Sequence, residues 1–337
     1  MLPATPETCF WGFFDNSREP ILRIRSGDVI SIETLTHQAG DAPDLMMDDG
    51  IRRVYEAIPM SERGPGVHVM TGPIYVDGAE PGDTLEVRIL GVEPRLSYGA
   101  NIAAWWGGLY DDFQKERITI YHIDRNAGWA RAAFAFDYRT SPRYDVPGTI
   151  IAPDHARREP ALKNVRIPLR PHLGVMGVAP AEPGRINSIP PGPFGGNIDN
   201  WRIGPGAIMY YPVFNRGALF FAGDPHMAEG DGELSGTAVE ASANAMLQIL
   251  VRKDFPIDHP ILETASHWFT HGFDEDLDLA MRQAARKMLE FLCAKKGLSR
   301  DEAYSLMSVA VDFGVTQVVD QRKGIHAALP KNLFGHV

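Results

Sequence analysis

Cysteine is scarce. The 337-residue chain has only Cys9 and Cys293, far apart and in unlike surroundings. A disulfide framework is not expected, and a reducing compartment, the cytoplasm, fits best. Positive charge is also short: 33 Lys and Arg stand against 43 Asp and Glu, for a formal net charge of -10. With no basic face apparent, nucleic acid is not expected as a partner. No apolar run reaches the roughly 18 residues of a membrane span. The stretch Met1–Pro20 lacks the basic and then apolar segments of a signal peptide. Neither a G-x-S-x-G elbow nor a G-x-x-x-x-G-K-[ST] phosphate loop occurs.

What the chain has in quantity is turn chemistry, with 33 glycines and 26 prolines. Asp28–Leu35, Thr84–Pro94 and Arg117–Ile123 show the period-two alternation of half-buried strands. Pro81-Gly82-Asp83 sets the turn before the second of these. Further strands are predicted at Gly148–Pro153, His172–Pro180, Gly206–Phe214 and Gly217–Gly223. Pro180–Trp201 has no period and reads as a functional loop or linker. Ala245–Pro256 is read as a strand, on the alternation of Gln248, Arg252 and Asp254. Helices come late. Asp274 is the expected cap of a helix through Glu275–Lys296, with Leu277, Met281, Ala284, Ala285, Met288, Leu289 and Leu292 on its apolar face and Gly297 as its stop. Ser299 and Glu302 form a capping box before a short second helix. The predicted class is α+β, predominantly β, with β-sandwich or barrel-like sheets and helices concentrated near the C-terminus. We divide the chain into a β-rich N-terminal region (1–170) and a β-rich catalytic half with C-terminal helices (171–337), intertwined as one structural unit.

Chemistry concentrates in "FAGDPHMAEGDGELSGTAVE" (Phe221–Glu240), which holds Asp224, His226, Glu229, Asp231, Glu233 and Glu240 among glycines. Asp224 and His226, two apart at a strand end, point to one side if the strand geometry persists. Asp231 and Glu233 repeat that spacing. Carboxylate and imidazole donors so grouped suit a divalent metal, although a solvated acidic loop has the same composition. "GGNIDN" (Gly195–Asn200) adds Asn197 and Asp199, which an Asx-turn would also explain. His68, His172, His267 and His271 each read as packed histidines. The last two are four apart and would make a metal clip only on a helix. Cys293 reads as helix core and Cys9 as packing beside Phe10 and Trp11.

Four long stretches, in order, resemble the acetamidase/formamidase family: His68–Leu90, Leu173–Gly184, Pro193–Glu240 and Ser308–Asp320. The block "TGP-x-x-V-x-GA-x-PGD" falls on Thr71, Gly72, Pro73, Val76, Gly78, Ala79, Pro81, Gly82 and Asp83, with His68 ahead of it. The G-N-x-D pattern falls on Gly196, Asn197 and Asp199. The G-D-x-H…GDGE pattern falls on Gly223, Asp224, His226, Gly230, Asp231, Gly232 and Glu233. One position departs: Glu229 stands where relatives commonly have glutamine.

The resemblance implies a β-rich cytoplasmic hydrolase, homo-oligomeric, that splits simple carboxamides or small cyclic amides and carries divalent ions, zinc or calcium. On that basis Asp199, Asp224 and His226 are assigned as metal ligands, Glu233 as proton carrier, and His68 as ligand or second base. Asp231 joins the catalytic set, holding a structural ion or orienting a ligand. Asn197, Gly196 and Glu240 are placed against the substrate or behind the ligands. Three other readings stay open: γ-lactam opening as the main activity, a non-catalytic metal- or ligand-binding relative, and a thiol hydrolase using Cys9 or Cys293.

Overall fold

The structure is a computed structural model and describes residues 1–139 and 148–335. Strands take 39% of the residues and helices 16%, so the expected β-dominated class holds. A six-stranded sheet runs in the order Cys9–Trp11, Val69–Asp77, Phe220–His226, His172–Val178, Gly195–Asn197, with Leu22–Arg25 beside Val69–Asp77. An eight-stranded sheet includes Ile208–Pro212, Thr84–Pro94, Ala243–Arg252 and Val29–Thr34 at one end. Met70, Val175 and Phe220 of the first sheet share one buried cluster with Leu85, Val87, Met209 and Leu247 of the second. The two sheets therefore pack face to face as a sandwich. Both sheets contain strands from each side of residue 170, and in the eight-stranded one Thr84–Pro94 lies between Ile208–Pro212 and Ala243–Arg252.

A third sheet of four strands, among them Tyr98–Ala103, Glu116–Asp124 and Trp129–Arg139, builds a separate core with Trp11 and the helix Asp49–Ala57. Glu240 joins the layers, because its backbone bridges Ala100 on one side and His226 on the other. The C-terminal helices, Leu277–Lys296 and Arg300–Ala310, cover the outer end of the eight-stranded sheet. Their approach is close: a Cβ on Gly272 would lie 2.1 Å from the Ala280 carbonyl oxygen. None of the described helices is long and apolar enough to cross a membrane.

Most predicted strands form within a residue or two; the expected Ala245–Pro256 is a strand but runs from Ala243 to Arg252, and the expected Gly217–Gly223 is displaced to Phe220–His226. The differences have local causes. Residues 148–153 form no strand; Ile151 donates to the Gly40 carbonyl in a single loop contact. Asp276, not Asp274, caps the long helix by accepting from Leu279 N–H. The buried face then runs through Ala280, Ala284, Met288, Phe291 and Leu292, while Met281 is exposed. Pro180–Trp201 contains two short strands, Ile186–Asn187 and Gly195–Asn197, each paired to a distant segment. His267 and His271 lie on the strand His267–Asp274, where four residues span about 13 Å, so they make no helical clip.

The Ser299 capping box forms as the sequence predicts, with both reciprocal hydrogen bonds present. Ser299→Ala should lower stability by about 1 kcal/mol, read as a lower urea midpoint with unchanged slope.

Candidate functional site

The site grows from four adjacent strands of the six-stranded sheet. His172 sits directly opposite His226 in the antiparallel pair His172–Val178/Phe220–His226, and Asn197 opposite Val175 on the other side. Next to Phe220–His226, the strand Val69–Asp77 brings His68 just ahead of its first residue. The expected Asp224–His226 pairing holds: Asp224 Oδ2 is 3.1 Å from His226 Nε2. Glu240 Oε2 lies 3.3 Å from the same nitrogen. His68 Nε2 is 3.6 Å from Asp224 Oδ2, and its Nδ1 meets the Ser188 hydroxyl at 3.0 Å.

Asp199, Asp224 and Glu233 all have left-handed backbones, with φ of 47°, 49° and 43°. Non-glycine residues rarely adopt this conformation, and it clusters at functional sites. It also explains a departure from simple alternation. Gly232 at φ 103° and Glu233 turn the chain between them, so Glu233 enters the buried cluster while Asp231 faces outward. Asp231 forms a bidentate pair with Arg202, at 2.7 and 3.0 Å, and accepts from Trp201 Nε1. The structure thus does not bring Asp231, assigned to the catalytic set from the sequence, into the site. Gly196 contributes its backbone, pairing with Met176 at φ 78°, and its open Cα face meets Phe194 and Phe14, not the cavity.

The cluster has the electrostatics of a cation site. Asp199, Asp224, His226, Glu233 and Glu240 are all buried. Both carboxylate oxygens of Asp199, Oδ1 of Asp224 and Oε2 of Glu240 have no hydrogen-bond partner. Burial raises the Asp199 and Glu233 carboxyls, and neighbouring carboxylates push them further. Burial also raises Asp224, but His68 and His226 outweigh it and hold its carboxyl low. Burial lowers His226, yet Glu240 and Asp224 overcome it and hold a proton on the ring. The field that retains this proton would retain a metal ion in its place. One imidazole and four carboxylates suit a divalent ion, and the donor atoms of Asp224, His226 and Glu240, like those of Asp199, His226 and Glu233, fall within 4.8 Å of one another. The residues present fit such a group.

Sequence reasoning missed several neighbours. His172 was read as packing, yet its Nε2 lies 2.7 Å from Glu229 Oε2 and 3.1 Å from His226 Nδ1; cross-strand register with His226 was the missing signal. His37 Nδ1 approaches Asp224 Oδ1 at 3.9 Å from a stretch with no motif. Asp320 closes the Ser308–Asp320 stretch, and burial, with nearby carboxylates, pushes it up to about 7. Cys9 is buried beside Thr71, its thiol pushed up to about 11 by burial, which removes it as a thiolate nucleophile. Cys293 lies in the helix Leu277–Lys296, packed against the helix–sheet cluster.

Above the cluster opens a cavity of about 400 Å³ lined by His68, Asn197, Asp199, Asp224, Glu233 and Glu240, by other polar residues such as Gln38 and Asp41, and by apolar residues that include Ile102 and Ile118. The floor is tight. A Cβ on Gly174 would stand 2.5 Å from Asp199 Oδ1, 2.7 Å from His226 Cε1 and 2.8 Å from Asp224 Oδ2. Gly174→Ala should fold but lose bound divalent metal, measured per chain by elemental analysis after dialysis; wild-type metal content would refute the cradle.

Residues 16–185 and 184–336 match the model of the acetamidase/formamidase family. A formamidase of Methylophilus methylotrophus is 28% identical over 306 residues, covering 75% of this chain and 74% of that protein. The crystal structure of an acetamidase from Bacillus halodurans superposes with a TM-score of 0.78 at 30% identity, covering 98% of both chains. A gamma lactamase from Delftia acidovorans shares the fold at a TM-score of 0.58 and 21% identity, over 98% of this chain and 90% of that one. The chain belongs to the acetamidase/formamidase family, whose named members are hydrolases of carbon–nitrogen bonds other than peptide bonds.

Proposed function

We propose that this family member hydrolyses a carboxamide to carboxylate and ammonia at the buried carboxylate–imidazole cluster, with a divalent ion as cofactor. The observation that carries the reading is the set of unpartnered carboxylate oxygens around His226 Nε2 at the base of the cavity. Asp199, Asp224 and His226 would hold the ion, with Glu240 beside them. Imidazole favours zinc, and the excess of carboxylates leaves calcium as the second choice. A zinc ion so bound lowers the pKa of water to about 7 and polarises a carbonyl.

The remaining work falls to the chain's own groups. Glu233 lines the cavity beside Asp199 and takes up the proton of the attacking water, then returns it to the leaving nitrogen. Transfer of this kind is worth about 10²–10⁴ in rate. Asn197 Oδ1 is buried in the same wall without a partner and can accept from the substrate's N–H₂, turning the carbonyl toward Asp224 and His226. His68, which burial lowers to about 4, is a neutral imidazole at neutral pH and serves as the second base. Asp231, tied to Arg202, has no part in this assignment.

Two free cysteines support a cytoplasmic setting. Homo-oligomerisation is carried by the family resemblance alone, whereas the reading of the two halves as one unit is supported by the two packed sheets, each of which contains strands from both.

Glu233→Gln should lower kcat for formamide or acetamide by about 10²-fold or more with near-UV circular dichroism unchanged; an unaltered kcat would remove Glu233 as proton carrier. Chelation to a metal-free protein, verified by elemental analysis, should abolish ammonia release, and zinc or calcium should restore it. Full activity in the metal-free protein would sink the metal-dependent reading and favour a reaction carried by side chains alone.

A further inference from the structure

The cavity is oversized for the amides that name the family. Formamide and acetamide have three and four heavy atoms, on the order of 100 Å³ at the roughly 30 Å³ that a water occupies. The cavity measures about 400 Å³, within the ~300–1,000 Å³ range of sites for much larger ligands. With acetamide bound, most of it would hold water against apolar surface, which is unfavourable. That surface is broad. Ile102, Trp105, Trp106 and Ile118 line it, and the two indoles meet edge to face, with ring centroids 5.7 Å apart. These side chains have no role in binding a one- or two-carbon amide.

The same cavity also contains unmatched polar atoms on residues outside the proposed ligand set. Gln38 is 4% exposed, lines the cavity, and its Oε1 has no hydrogen-bond partner. Asp41 Oδ2 is likewise buried, cavity-lining and unpartnered. Burial raises the Asp41 carboxyl, and Glu116 and Glu240 raise it further. Buried acceptors without partners are costly and rare. A ligand that donates to them would relieve that cost.

We propose that the substrate is an amide of a bulky, apolar, ring-sized organic group bearing a hydrogen-bond donor that reaches Gln38 and Asp41. The inference rests on the amidase reading above and names its substrate class. The apolar group fills the wall of Trp105, Trp106, Ile102 and Ile118. Its burial supplies binding energy remote from the reacting carbonyl, which orients the amide over Asp224 and His226. The amide nitrogen leaves as ammonia, and the product is the carboxylate of the same group.

Ammonia release from acetamide, phenylacetamide and 4-aminophenylacetamide, measured on the metal-loaded enzyme, separates the outcomes. A single methylene in an apolar pocket is worth roughly 10–200-fold, so kcat/KM for phenylacetamide should exceed that for acetamide by at least about 10-fold. The 4-amino compound should be better still. Ile102→Trp, which fills the cavity, should reduce the phenylacetamide-to-acetamide ratio about 10-fold or more. Asp41→Leu should erase the advantage of the amino group, with folding checked by thermal unfolding. Equal or better turnover of acetamide would overturn the bulky-substrate inference while leaving the amidase reading intact. Equal turnover of the two aryl amides by the wild type would overturn the donor requirement. Silence with all three, and with formamide, would overturn the amidase reading itself.

Discussion

Five carboxylates buried around one imidazole are the constraint that organises this molecule. Asp199, Asp224, Glu229, Glu233 and Glu240 are each at most 7% exposed, inside a sandwich that is otherwise a conventional apolar core. Removing an isolated carboxylate from water is strongly unfavourable, so buried charges are paired, protonated or bound to metals. His226 alone cannot satisfy five partners. Its Nε2 faces Asp224 and Glu240, and its Nδ1 faces His172 and Glu229. The unpartnered oxygens are therefore a positive indication of a counter-charge. The long strand pairings on either side are what keep the carboxylates from turning out to solvent.

The backbone bears part of this cost. Each left-handed non-glycine residue costs on the order of 1–3 kcal/mol, and Asp199, Asp224 and Glu233 all adopt that conformation. Such geometry persists only where the surroundings over-determine it. The His172–Val178 strand does this from the middle, pairing with both Gly195–Asn197 and Phe220–His226. Glycine makes the spacing possible. A Cβ at Gly223 would fall 2.3 Å from the Val69 carbonyl, so the strand bearing Asp224 and the segment bearing His68 could not otherwise lie so close. Positioning and packing are the same problem here, because the core strands themselves carry the site.

Much of this was legible in the sequence, and for identifiable reasons. Alternation in Thr84–Pro94 and the box at Ser299/Glu302 are local signals, and the structure reproduces both. Asp224 and His226 could be paired from their spacing, and the two side chains do meet, although Asp224 is itself left-handed at φ 49°. Asp231 and Glu233 have the same spacing, but the left-handed turn at Gly232 breaks the alternation, and spacing alone cannot register a change of φ sign. His172 and His37 were invisible for a different reason. What makes them neighbours of the site is pairing across 54 residues in one case and loop packing in the other, neither of which leaves a periodic trace. Ala280 and Phe291, not Met281, lie on the buried helix face for a similar reason: the helix meets the sheet closely at Gly272, beside Ala280 and Ala284, a tertiary contact that periodicity does not show.

Glu229, the one departure from the family pattern, becomes intelligible once protons are counted. His172 Nδ1 is 2.7 Å from the Arg170 carbonyl, an acceptor only, so that nitrogen carries a proton. His172 Nε2 then meets Glu229 Oε2 at 2.7 Å. Two lone pairs do not approach so closely, so one proton lies between them. The same oxygen, Glu229 Oε2, lies 3.3 Å from His226 Nδ1, while Oε1 is buried without a partner. One carboxylate oxygen therefore ties the two imidazoles together and holds the His226 ring with Nε2 turned toward Asp224 and Glu240. A glutamine in the same rotamer would set one amide atom, not two, at that point. Glu229 thus supports the His226 ring, and with His172 and His226 it also forms a grouping whose donor atoms fall within 4.8 Å of one another.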